Sequence, residues 1–594
     1  MRRISTVKTR NYTITATEDP NLFSLSLSHT LETDGIEYVN IQMDTDQSAR
    51  PSPIVLTWDH PMINTHYKWF PGTHLNRMIT PIWAKSECIS KATSNAPVYS
   101  LFGANDYNAL TFAFSDALNV VKLRAGLVEE TAMVQCSIEL FTEPLPPIKH
   151  YDAKIRLDTR KIHYYKVLRD VSAWWAANPN YKPSPIPEHA RLPMYSSWYS
   201  FHQNLSPDDL EKQCQLAKEM GMESIIVDDG WQTDDTNRGY AYCGDWKVTI
   251  NKFPDFRAHV GRVHAMGLKY ILWFSVPFVG IHSKAYKRFK DKLLNPASQS
   301  GWFVLDPRFP EVRRYLTTLY EHFIRDYGID GLKLDFVDAF NLTEETKDTH
   351  GDGRDFDSVP AAVDFLLTDI MQRLRAINPN VLIEFRQRYI GPLMRKYGNM
   401  FRAGDVPNDY PGNRVRTIDI RLLCGTTPTH SDMFMWHIDD SVESAAMQII
   451  HTIFSVPQVS VLLDKIPKDH KEMIKFLLQF WRQNRDVLLD GELIPAEPGM
   501  LYPSVCARTD KKFLAAWYSD TCVSINEKIP PELILVNGTF QNRVVMDLKQ
   551  DIGNRDLKVT SYTGRKIRKE KINLLAGVHT IEVPPAGVAV LKTK

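Results

Sequence analysis

Carboxylates, cations and tryptophans collect at the ends of five short apolar runs in this chain. The runs end Val227-Asp228-Asp229-Gly230-Trp231, around Trp273, Gly331-Leu332-Lys333-Leu334-Asp335, Glu384-Phe385-Arg386-Gln387-Arg388 and Arg402-Ala403-Gly404-Asp405. Taken singly, each has a plain structural explanation. An Asp after a strand caps the next helix more often than it catalyses, Lys333 and Asp335 form an ion pair, and Trp231 and Trp273 pack a core. Their coincidence points further, because a buried Lys-x-Asp is costly unless function needs it. Carboxylates beside Trp and Lys, without clustered His, suit cleavage of a glycosidic bond. Its oxocarbenium-like transition state needs one carboxylate at the anomeric carbon and one acid at the leaving oxygen, about 5 Å apart when configuration is retained. An ammonium such as Lys333 would hold a neighbouring Asp335 ionised, whereas an acid at Asp405 calls for the opposite tuning.

One architecture brings such ends to a single rim: a closed parallel barrel, whose active site lies at the C-terminal ends of its strands. From Met194 onward, Met194–Trp198, Ser224–Val227, Tyr270–Ser275, Gly331–Asp335, Val381–Phe385, Met400–Ala403, Met433–Trp436 and Val459–Leu463 read as strands. Helical periods fill the gaps at Pro207–Met220, Pro310–Tyr327, Val359–Ile377, Ser441–Ile453 and Lys468–Asn484, the first opened by the capping run Ser206-Pro207-Asp208-Asp209. No GxGxxG turn follows the first strand, so a (β/α)8 TIM barrel over residues 194–485 is predicted rather than an open sheet. Residues 1–180 alternate polar and apolar positions between Asn, Asp, Gly and Pro breaks, which predicts an N-terminal β-sandwich domain. Tyr181–Pro193 carries four prolines and reads as a linker. Strand patterns return over 490–594 and predict a small C-terminal antiparallel β domain, making the fold an α/β multidomain one.

Bulk properties exclude several classes. Lys and Arg number 71 against 70 Asp and Glu, a formal net charge of +1, so no global field draws the chain to nucleic acid or an anionic membrane. Hydrophobic residues at 43% and charged ones at 24% are ordinary for a globular protein. No apolar run is long enough to span a bilayer, and the basic start has no apolar stretch behind it to make a secretory signal. The seven cysteines are scattered, odd in number and without a CxxC pair. That argues against disulfides and structural zinc and for free thiols in the cytoplasm. No metal or cofactor is called for, the partner expected is a carbohydrate, and homo-oligomerisation is left open.

At these residues the chain resembles the α-galactosidases of glycoside hydrolase family 36, in the clan that also holds family 27. The marks are SSWYSF (Ser196–Phe201), VDDGW (Val227–Trp231), GDW (Gly244–Trp246) with NKFP (Asn251–Pro254), LDPRFPEVRRYL (Leu305–Leu316) and GLKLDF (Gly331–Phe336). The resemblance covers the barrel and, through the three-domain plan, the whole chain. It implies hydrolysis of terminal α-galactosides with Asp335 as nucleophile and Asp405 as acid/base. It further implies that Asp228 and Asp229 accept hydrogen bonds from O4 and O6, and that Lys333 reaches ring hydroxyls. Arg402 would stand near O2, with Trp198, Trp231 and Trp273 walling the sugar. Two departures stand out. Arg402 and Asp405 are spaced i to i+3 where the family commonly has i to i+4, which keeps Asp409 as a rival acid. The Cys and Gly-rich segment after the fifth strand is replaced by Arg386-Gln387-Arg388, which puts Arg386 and Gln387 at carbon 2, or the two cations Arg386 and Arg388 beside an anionic substrate group, unless those cations pair with Glu384 or Asp338. The same clan holds α-N-acetylgalactosaminidases, α-glucosidases and galactosyl transferases. Two readings outside it are a metal-dependent barrel hydrolase using Asp228, Asp229, His430 and His437, and a carbohydrate-binding scaffold, which would have lost Asp335 or Asp405.

Overall fold

In the first part of the chain the period-two alternation does what it predicts. Thr13–Glu18 and Met133–Leu140 bury every second residue, as half-buried strands of a two-layer structure must. The computed structural model describes residues 3–19, 22–386, 389–526 and 528–593. Two six-stranded antiparallel sheets occupy the first 158 residues, with Ile41, Leu56, Phe112 and Val134 in the core between them. The helix Tyr164–Ala176 then leads to the proline-rich segment. That segment lies flat on the barrel: Ser184 donates from its backbone to the Arg395 carbonyl at 2.7 Å and from its hydroxyl to the Lys396 carbonyl at 2.5 Å.

The barrel strands are β1 (Met194–Ser196), β2 (Ser224–Val227), β3 (Lys269–Ser275), β4 (Gly331–Asp335), β5 (Leu382–Arg386), β6 (Met400–Arg402), β7 (Thr429–His430) and β8 (Gln458–Val459). They pair in parallel in the order β7-β6-β5-β4-β3-β2-β1-β8, and parallel bridges His430 to Val456 and Phe434 to Val459 join the two ends. This is the (β/α)8 barrel expected, with strands buried on both faces. Several ends differ from expectation; the eighth strand lies at Gln458–Val459 rather than Val459–Leu463, the sixth stops at Arg402 and the third starts at Lys269. The seventh strand lies at Thr429–His430 rather than Met433–Trp436, whose apolar run is buried but pairs only through Phe434. The first strand stops at Ser196, and Trp198–Phe201 forms a helical turn that aims Trp198 over the barrel mouth. The fifth extends to Arg386.

The C-terminal part forms a seven-stranded and a three-stranded sheet. It is not purely antiparallel as expected: Lys512–Trp517 pairs in parallel with Glu532–Asn537, and Cys522–Ile525 with Arg543–Leu548. Successive strands here cross from one sheet to the other, reversing each time, so neighbours two strands apart in sequence run the same way. The three parts meet at Asp419, on the helix Tyr410–Arg421 after β6. It accepts hydrogen bonds from Trp69, His74 and Arg77 of the N-terminal part and from Tyr502, between the strands Glu492–Pro495 and Ser504–Arg508 of the C-terminal sheets.

Candidate active site

A strand's side chains alternate, so Lys333 and Asp335 point the same way, as do Glu384 and Arg386. The register sets Trp273 beside Lys333, Lys333 beside Glu384, and Arg386 beside Arg402. These are the inward-facing layers of a barrel interior, but here the layers nearest the C-terminal ends are ionic rather than aliphatic. Of the expected residues, Trp198, Asp228, Asp229, Trp273, Lys333, Asp335, Arg386, Arg402 and Asp405 line one cleft, closed on the remaining side by Tyr240 and Phe336.

Asp335 is buried at the end of β4. Its two oxygens accept from Arg386 Nε at 2.5 Å, the Phe336 amide at 2.8 Å and Trp273 Nε1 at 3.1 Å. The cation that stabilises its charge is therefore Arg386. Lys333, expected in that role, instead meets Asp228 at 2.5 Å. Asp229 accepts from Gln203 at 2.7 Å and Gln232 at 2.6 Å, yet burial pushes its carboxyl up to about 6 against those bonds.

Asp405 sits beyond β6 with a side chain 40% exposed, 2.9 Å from Arg402 and 3.3 Å from Arg386 Nη1. One guanidinium thus spans Asp335 and Asp405. Arg402 is fully buried and also meets Asp432 and, at 3.6 Å, Glu384. Partial burial favours a neutral Asp405, but Arg402, Arg386 and Lys333 outweigh it and hold the carboxyl well below the usual range. This is opposite to the tuning expected for a resting acid. Asp432, with no solvent contact, is pushed up to about 6 by burial despite Arg402. With Arg386 in place the cleft encloses only about 30 Å³, room for a water or two.

Other sequence expectations separate here. Trp231 has no exposed surface; it packs between Trp246, Phe274 and Phe323 and donates to the Trp273 carbonyl at 3.0 Å. It supports Trp273 from behind and does not wall the cleft. Asp409 caps the helix Tyr410–Arg421, accepting from the Gly412 amide at 2.8 Å, the ordinary use of an Asp at that position. Gln387 and Arg388 lie outside the described residues. Asp338 takes the Tyr389 hydroxyl at 2.8 Å rather than an arginine. His430 is buried against the Ala190 carbonyl at 2.8 Å while the His437 side chain is 74% exposed, so they do not converge with Asp228 and Asp229; among the described residues no His, Cys, Asp and Glu group suits a metal. Sequence reasoning missed Tyr240, Phe336, Gln203 and Asp432. Only Asp432, two residues beyond a strand end, carried the signal used for the others.

Residues 183–387 match the family model described as Melibiase. An α-galactosidase of Lactobacillus acidophilus is 30% identical over 162 residues, 26% of this chain and 21% of that protein. A bifunctional α-galactosidase/sucrose kinase of Mediterraneibacter gnavus is 25% identical over 284 residues, 46% of this chain and 27% of that protein. The aligned stretches thus span about a quarter or less of these relatives' lengths. In structure, the family 36 α-galactosidase of Geobacillus stearothermophilus superposes over 100% of this chain and 86% of its own, with a TM-score of 0.65 at 14% identity. A family 31 sulfoquinovosidase from E. rectale superposes at 0.57 and 11% identity.

Proposed function

We propose that this chain, a relative of the family 36 α-galactosidases in its barrel sequence and in its whole fold, is a retaining α-galactosidase that releases terminal α-linked galactose. The observation that carries the reading is the pair of carboxylates, Asp335 and Asp405, held close enough for one guanidinium to touch both under Trp198, Tyr240 and Trp273. Retaining chemistry needs two such groups about 5 Å apart. Asp335, fixed by Trp273 and the Phe336 amide, attacks the anomeric carbon and forms the covalent glycosyl ester. Asp405 protonates the departing oxygen, then takes a proton from the water that hydrolyses the ester. Asp228 and Asp229 accept hydrogen bonds from O4 and O6.

Arg386 has to move for this to happen, because it fills the space a sugar ring needs. Its departure also removes one of the cations keeping Asp405 ionised, so binding the sugar eases protonation of the acid. Seven free cysteines support work in the cytoplasm; among the described residues no helix is long and apolar enough to cross a membrane.

A panel of nitrophenyl glycosides tests the assignment. The α-galactoside is hydrolysed at least about tenfold faster than the α-glucoside, a difference of about 1.4 kcal/mol in transition-state binding. Equal rates on the two sugars would remove the role given to Asp228 and Asp229.

A further inference from the structure

A second cavity lies where the N-terminal sheets meet the barrel mouth. It measures about 160 Å³ and is walled by Gly72, His74 and Asn95 on one side and by Gly404, Arg416 and Asp419 on the other. Gly404 precedes Asp405, so consecutive residues line this cavity and the sugar cleft. A cavity near 150 Å³ holds one six-membered ring.

Its polar groups are unequally satisfied. Asp419 is saturated: Arg77 donates at 2.8 and 2.9 Å, His74 meets it at 3.0 Å, and Trp69 and Tyr502 donate at 3.0 and 2.6 Å. Its charge is spent on the fully buried Arg77. The Arg416 side chain, half-buried in the wall, forms no ion pair and no hydrogen bond with any described residue. Asn95 donates to the Ile89 carbonyl at 2.8 Å, but its Oδ1 is buried without a partner. A Cβ built on Gly72, on the same side of the cavity, would stand 4.0 Å from that oxygen. The cavity therefore offers one unspent cation and one unspent acceptor. The ligand that satisfies both brings an anion and a hydroxyl donor on one ring.

We propose that this cavity is the leaving-group subsite and that it selects an anionic sugar, a uronic acid or a sugar phosphate, through Arg416 and Asn95. Arg416 pairs with the carboxylate or phosphate, and Asn95 Oδ1 takes a ring hydroxyl. The leaving-group label rests on the α-galactosidase reading, since it is the acid Asp405 that stands between the two cavities; the anion site does not.

Binding to the full chain is measured by calorimetry with methyl β-D-glucuronide, glucose 6-phosphate and glucose. At least one of the two anionic sugars binds tenfold or more tightly than glucose, and which one does so decides between carboxylate and phosphate. Arg416→Gln removes that preference, and Asn95→Ala weakens the anionic sugar severalfold, with wild-type unfolding midpoints showing both variants folded. Equal affinities for all three ligands, or a preference that survives in Arg416→Gln, overturns the proposal. Hydrolysis of nitrophenyl α-galactoside is read separately. If the anion preference depends on Arg416 but no galactoside is cut, the α-galactosidase reading and the leaving-group label fall and the anion site remains. If galactosides are cut, an α-galactosyl glucuronide or galactosyl sugar phosphate is preferred over the matching glucoside by wild type, and Arg416→Gln levels the two.

Discussion

An arginine that bridges two carboxylates must leave one of them before that one can carry a proton. In the resting cleft Arg386 touches both Asp335 and Asp405, so the two aspartates differ in how they fail when removed. Asp335→Gly eliminates the covalent bond to the sugar, and turnover of every α-galactoside falls by about 10³-fold or more. Azide attacks from the vacated face and gives the β-galactosyl azide. Asp405→Ala leaves glycosylation intact on dinitrophenyl galactoside, which needs no proton, and slows natural galactosides by about 10²–10⁴-fold; azide then gives the α product. Wild-type turnover by Asp335→Gly would falsify the mechanism, and an α-azide from Asp409→Ala instead of Asp405→Ala would move the acid. Arg386→Met opens the cleft but leaves Asp335 without its cation; product analysis should find kcat reduced more than KM is raised. These roles were partly legible in sequence, because residues at strand ends face the barrel mouth whatever their rotamers. Which cation meets which acid was not. Lys333 shares a face with Asp335, yet its long side chain reaches across to Asp228, a choice made by packing across three strands.

Elements of two residues leave almost no trace in sequence. Met433–Trp436 reads as β7 because those residues are apolar, whereas Thr429–His430 forms the strand because its neighbours β6 and the segment before β8 supply the pairing. The parallel pairs in the C-terminal sheets were hidden for a related reason: alternation reveals a strand but not the direction of its neighbour. Helix Tyr410–Arg421, by contrast, is absent from the helices the periodicity predicts although Asp409 caps it, since an Asp after a strand reads equally as an acid. That helix carries the junction between the three parts, and the junction makes a prediction at this scale. Asp419→Asn leaves Arg77, whose side chain has no exposure, as a buried charge without a counter-ion, a loss of about 3–5 kcal/mol. The unfolding midpoint should drop by several degrees. Arg77→Met combined with Asp419→Asn, which removes both charges, recovers much of it. A single variant as stable as wild type would show that the junction is held by its packing alone.

Buried titratable groups across the whole molecule fall into two opposing sets, and they set how stability responds to pH. Burial pushes Asp106, Asp229 and Asp432 up to about 6. An unfolded Asp titrates near 3.9, so between those values the folded state binds protons that the unfolded chain does not, and acidification from pH 7 to 5 stabilises the fold. Burial holds His60 and His430 down to about 4, and His451 well below its ordinary value. Unfolded histidines take up protons near 6.5, so the same acidification destabilises through them. Glu143 and Glu384, raised by burial, and His202 and His259, lowered by it, extend the two sets. The sets oppose each other, so the unfolding midpoint should change less between pH 7 and 5 than either set alone would make it. Asp419 behaves differently: burial works against its charge, but Arg77 and His74 prevail and hold it at about 2. Its contribution is complete above pH 4 and is lost as pH falls towards 2, so the midpoint drops steeply only there. Asp106→Asn, which keeps the acceptor for the Glu497 amide, removes one stabilising proton uptake and should lower the midpoint at pH 5 relative to that at pH 7. Activity follows a different group. Asp229 must be ionised to accept from the sugar hydroxyls, so kcat/KM falls below pH 6 while the protein stays folded. Gln232→Leu, which deletes a hydrogen bond holding that carboxyl down, shifts the acid limb to higher pH. Calorimetry and rate profiles on the same samples separate the two effects: an acid limb that tracks the unfolding midpoint, or that ignores Gln232, would show that Asp229 does not govern it.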